Sequence, residues 1–171
     1  MRRLASLAAT GALLGGAGAG ASTATAAPPL SHWLSWNARK HTVRLLLVAG
    51  YDGTNNGFNF DGYARGRMLV TVPLGWRLTV VCRNAGPGYN SCAVVHGAQS
   101  GAIAFHGAAT PRPAQGLSPG SSAAFTFRAS RVGVYRLVSL VPGHELARQY
   151  DVLEIARSRR PRIELLSPLP G

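Results

Sequence analysis

The stretch YRLVSLVPGHELARQYDVLEI, Tyr135–Ile155, decides how the chain is read. Tyr135, Leu137 and Ser139 share one parity, the alternation expected of a strand with one face in a core. Pro142-Gly143 stops that run in a turn, because proline presets one backbone angle and glycine accepts the left-handed one. His144 follows at the loop tip, and Tyr150–Ile155 resumes an apolar strand. A histidine on a short loop clamped by two strand ends is rigidly positioned, which suits a metal ligand.

Outward from this stretch, short strands recur between turn signals. Thr42–Ala49 (TVRLLLVA) reads as a strand, as does Met68–Val72, closed by Pro73-Leu74-Gly75. Trp76–Arg83 (WRLTVVCR) places Trp76, Leu78, Val80 and Cys82 on one side. Asn90–Val95 opens another strand, with Asn90, Cys92 and Val94 on a shared face, and Ala123–Phe127 precedes a turn at Gly133. Phe58–Tyr63 (FNFDGY) sets two aromatics on one face, and a long loop runs from Gly97 to Gly120. Seven or eight strands, with no long helical period and no repeat, predict an all-β sandwich or barrel over residues 42–156. Residues 28–41 form a lead-in whose Trp33 and Trp36, three apart, suit an amphipathic turn on the sandwich edge. Residues 157–171 read as a basic tail carrying Arg157, Arg159, Arg160 and Arg162.

The length of 171 residues suits one domain with a proper core. Eighteen basic residues face six acidic ones, and Lys40 is the sole lysine. Residues 1–27 read as an export signal: Arg2 and Arg3 lead, a weakly apolar run follows to Gly20, and Thr25-Ala26-Ala27 offers a small-residue exit. Its removal lowers the formal net charge by two, from +12 to +10. The arginine pair hints at a twin-arginine route with an incomplete flanking motif, and the run is too short and glycine-rich for a membrane span. A G-x-G in this run follows no strand, so a dinucleotide site is excluded.

The segments FNFDGY, VTVPLGW with a strand ending at Asn84, AFHGAATPRPAQGL and SLVPGH, in that order, resemble the sulfocyanins among the cupredoxins, over about residues 33–156. The resemblance implies a Greek-key sandwich holding a mononuclear type 1 copper that shuttles electrons. The family's ligands are an upstream His and then a loop Cys, His and Met. Carried over, these positions are Asn90, Ser139, His144 and Gln149, so one ligand type of the four is retained. A blue site needs the thiolate, whose softness holds Cu(I); a serine hydroxyl supplies neither that softness nor the charge. Glutamine at the axial position is compatible with copper, whereas asparagine is a weak neutral donor.

The same resemblance puts the strands of Cys82 and Cys92 in opposing sheets, where the sulfurs would meet across the core. Export and an even cysteine count favour a disulfide. Two small buried thiols, or a copper-thiolate role for Cys92, are the alternatives. His96 and His106 could join His144 in a histidine-only Cu(II) or Zn(II) site, although separate loop histidines are usually solvated. His32 and His41 lie outside the motifs and read as surface residues. Ser139, His144 and Glu145 do not make a hydrolase, for there is no G-x-S-x-G and adjacent loop residues seldom converge. Ser139 and Asn90 are instead expected to bond to each other and to His144, filling a vacated pocket.

The expectation is therefore an exported, non-enzymatic cupredoxin-like domain. It is copper-free or weakly metal-binding, with a functional copper carrier of non-standard ligands as the alternative. The basic balance suits an acidic partner protein or an anionic envelope surface; the arginine tail without interleaved aromatics argues against nucleic acid.

Overall fold

Strand β2, Thr42–Ala49, shows how the sequence builds the fold: Val43, Leu45 and Leu47 are buried while Arg44 between them is exposed. In a computed structural model, which describes residues 28–97 and 101–167, nine strands form two packed sheets. Besides β2 these are β1 (Leu34–Asn37), β3 (Met68–Pro73), β4 (Arg77–Asn84), β5 (Ala93–His96), β6 (Ser122–Arg128), β7 (Gly133–Val138), β8 (Tyr150–Ala156) and β9 (Arg162–Leu165). One sheet runs β1-β2-β4-β6 and the other β5-β7-β8-β3-β9. The β2–β4 and β3–β8 pairs are parallel and the rest antiparallel, because the chain crosses repeatedly between sheets. This is the expected all-β sandwich.

The core lies between the inward rows. Leu45, Leu47, Leu78 and Val80 of one sheet meet Val70, Leu137, Leu153 and Ile155 of the other. Cys82 on β4 and Cys92 just ahead of β5 are joined by a disulfide, Cα to Cα 5.9 Å, so the bond ties one sheet to the other. The alternatives of buried thiols and of a copper thiolate at Cys92 are thereby set aside.

Both ends of the described chain correct the sequence reading. The lead-in carries a strand: β1 pairs antiparallel with β2, Trp33 is buried and Trp36 is 44% exposed. The stretch read as a tail contains β9, which pairs with β3 and packs Ile163 on the core. These account for nine strands rather than seven or eight. Each is four residues long and sits at a sheet edge, where hydrogen bonding to a neighbour outweighs a weak local pattern. Asn90 precedes β5 and forms an isolated bridge to Leu117, so the 101–120 segment covers the β5 side of the sandwich with short bridges instead of open loop.

Candidate metal centre

The loop between β7 and β8 is a compact unit. Gly143 takes φ +89°, His144 N–H donates to Val141 O at 3.1 Å, and Gln149 N–H donates to His144 O at 3.0 Å. Neighbouring loops hold it: Asn55 Nδ2 donates to Ala147 O at 2.8 Å, and the Phe58 ring meets His144 edge-on with centroids 5.1 Å apart. The loop before Asn90 is fixed by close backbone approach. Gly50 has φ +67°, and a Cβ there would lie 2.6 Å from Gly86 Cα, so only glycine fits.

Within this frame the four ligand positions separate into two polar groups. Gln149 is fully buried; its Nε2 donates to Asn90 Oδ1 at 2.9 Å and to Asn59 O at 3.2 Å. Asn90 Nδ2 in turn donates to Asn84 Oδ1 at 3.0 Å, which makes a relay of amides across the end of the sandwich. Ser139 belongs elsewhere: its Oγ accepts the Ser91 N–H at 3.1 Å and lies 3.4 Å from Ser91 Oγ. The expected network joining Asn90, Ser139 and His144 is thus corrected. Amide bonds to amide and hydroxyl to hydroxyl, because each finds a partner of matching reach. Asn59, Asn84 and Ser91 were missed as site residues; the asparagine in FNFDGY and the one closing β4 were the available signals.

His144 sits beside the amide group, next to Gln149, without joining its hydrogen bonds. Burial lowers its pKa, the neighbouring Gln149 side chain pulling the other way without closing a hydrogen bond, so Nδ1 is left without a partner. The imidazole is neutral near pH 7 and lines an open cleft of about 410 Å³ with Phe58, Pro87, Tyr89, Asn90 and Val141.

The substitute ligands are not assembled. His96 pairs with Tyr135 while Ala93 pairs with Val138, which puts His96 at the opposite end of β7 from the His144 loop. Its Nε2 accepts from Arg131 Nη2 at 3.3 Å. Phe105 stacks on Phe127 and meets Tyr135 at a tilt at that same far end, and His106 beside it is exposed. Among the described residues no three His, Cys, Asp or Glu side chains come together as a metal would need. Glu145 turns to Arg136, at 3.9 Å, and His32 and His41 are exposed as expected.

Type 1 copper does not fit this donor set. Two ligand positions, Asn90 and Gln149, are hydrogen-bonded to each other, the third is a hydroxyl engaged by Ser91, and both cysteines are spent in the disulfide.

Two sheets packed face to face, with a Pro-Gly-His loop joining neighbouring strands at one end, define a cupredoxin-type sandwich. Residues 29–158 match the sulfocyanin (SoxE) domain, and the chain belongs to that family. Membership supports a lineage of copper binding and electron transfer. Among solved structures, rusticyanin superposes with TM-score 0.53 at 16% identity, covering 68% of this chain and 78% of that one. A multicopper oxidase from Pseudomonas thermotolerans gives 0.52 at 16% identity, covering 68% of this chain and 30% of that one. Reduced auracyanin from Roseiflexus castenholzii gives 0.49 at 22%, covering 66% and 96%. At such identities the likeness is one of fold. A search of curated protein sequences finds no match.

Proposed function

We propose that this protein is a sulfocyanin-family binding module that has lost the blue copper site and works without electron transfer or catalysis. The hydrogen bond from Gln149 Nε2 to Asn90 Oδ1 carries this reading, since it joins two side chains that a copper ion would have to hold apart. The cleft beside them is mostly apolar, with one neutral imidazole, which is the composition of a recognition site. Export through the 1–27 segment is part of the proposal; that segment lies outside the described residues, and the disulfide supports an oxidising compartment. Among the described residues no helix is long and apolar enough to cross a membrane.

Titration of the purified protein with Cu(II) should give no intense visible charge-transfer band. A strong band would overturn the reading. The combined change Asn90→His, Ser139→Cys and Gln149→Met should restore blue colour, because the scaffold retains the loop that positions His144. A folded triple variant that stays colourless in copper would mean the ligand positions are misassigned.

A further inference from the structure

The outer face of the sheet β1-β2-β4-β6 carries four arginines and no acidic side chain of its own strands. Arg44 on β2, Arg77 and Arg83 on β4, and Arg128 on β6 all point outward and are exposed. Arg39 and Lys40 in the β1–β2 turn are exposed at one end of the same sheet. None of the six acidic residues is on these strands: Asp52 and Asp61 follow β2, the buried Asp61 carboxyl bonding the Val48 N–H, Glu145 is in the β7–β8 loop, Asp151 and Glu154 on β8, and Glu164 on β9. Among the described residues none of these four arginines forms a salt bridge.

Arg77 and Arg128 are direct partners in the β4–β6 ladder. Like charges directly opposite on neighbouring strands destabilise a sheet. The next outward pair in the same ladder, Thr79 and Thr126, shares a hydrogen bond at 2.9 Å, so this face accepts neutral pairs without difficulty. The fold thus bears a repulsion that it has no structural need for, and an anion laid on the face would relieve it.

The remaining outward side chains decide which anion. They are Ser35 and Asn37 on β1, Thr42, Leu46 and the buried Val48 on β2, Thr79 and Val81 on β4, and Ser122, Ala124 and Thr126 on β6. No aromatic ring projects from the three long strands on this side, and Trp36 of β1 lines a groove with Arg44 only at the rim, so bases find no row of rings to stack on. The apolar strip Leu46, Val81 and Ala124 across the middle is narrow and free of aromatic rings, unlike the aromatic-rich centre that a protein interface buries. A broad phosphate-bearing surface needs neither. From Arg77 to Arg83 the cations span about 20 Å along the strand, and each adds separately to the attraction of a charged leaflet.

We propose that this sheet face docks the protein, flat side down, on an anionic phospholipid bilayer. The inference is independent of the state of the His144 cleft. The test is partition of the full-length chain onto phosphatidylcholine vesicles containing about a third phosphatidylglycerol, set against pure phosphatidylcholine. The wild type should prefer the anionic vesicles, and the preference should fall steeply with salt. Arg77→Thr with Arg128→Thr should lower the partition coefficient about 30-fold, two cations at the usual strength for such surfaces. It should also melt at or above the wild-type temperature, because the opposed charges are gone. Arg44→Ser with Arg83→Ser, on the same face, should give a comparable loss. Arg148→Ser with Arg162→Ser, outside this sheet, should cost far less. Equal losses from all three pairs, no preference for anionic vesicles, or displacement of the protein from vesicles by an acidic polypeptide or an oligonucleotide would each overturn the proposal.

Discussion

Asp61, in the FNFDGY segment, is an acid kept out of water. It is 4% exposed, its Oδ1 accepts the Val48 N–H at 2.7 Å, and its Oδ2 has no partner. Burial pushes its pKa up to about 8, the Val48 bond offsetting part of that. The folded protein therefore holds this proton where the unfolded chain has lost it. Its contribution to stability is complete below the ordinary carboxylate pKa and drains away as pH rises through about 8. Asp151 shifts in the same direction, mainly through burial and with the Asp61 charge adding to it. Thermal melts between acid and neutral pH should show stability decreasing as pH rises, by up to about 1.4 kcal/mol per pH unit for one such group. Asp61→Asn should flatten that dependence by one proton's worth; an unchanged slope would show that Asp61 is ionised in the folded state.

The disulfide acts at the scale of elements. It closes a loop of sequence separation 10 and links β4 to the start of β5 across the core. Chain-entropy arguments put such a closure at about 2.5–3 kcal/mol. Replacing both cysteines by alanine should shift the urea midpoint down accordingly, and reductant should move the wild type in the same direction and leave the variant unaffected. A wild-type midpoint insensitive to full reduction would mean the bond adds nothing to the fold. β1 shows how little a short edge strand announces itself. Trp33 and Trp36 are three apart, a helical spacing, yet Trp33 is buried against Tyr51 and Leu46 N–H donates to its carbonyl at 2.8 Å. Trp36 stays near the rim beside Trp76.

Charge matters for the molecule as a whole. Eighteen basic residues against six acidic ones make a surface that repels itself, most of all on the acid-free sheet. Sodium chloride should raise the melting temperature at neutral pH as the screening length shortens. A melting temperature that falls with salt would show that attractive ion pairs outweigh the repulsion. The long strands β2, β4, β7 and β8 were legible because each buries one face along several alternating residues, a pattern that survives without a partner. The family motifs were legible for a related reason, since turn residues act locally.

The sequence by itself determined the strand-rich class and the Pro-Gly-His loop, because each depends on which residues stand near one another along the chain. Tertiary structure alone decided that Gln149 bonds to Asn90 and Ser139 to Ser91, that His96 and His106 lie far from His144, and that Arg77 faces Arg128. Those pairings join residues distant in the chain, and a hydrogen bond or a repulsion is set by separations of a few ångströms in space. One-dimensional spacing carries no record of them until the two sheets have closed.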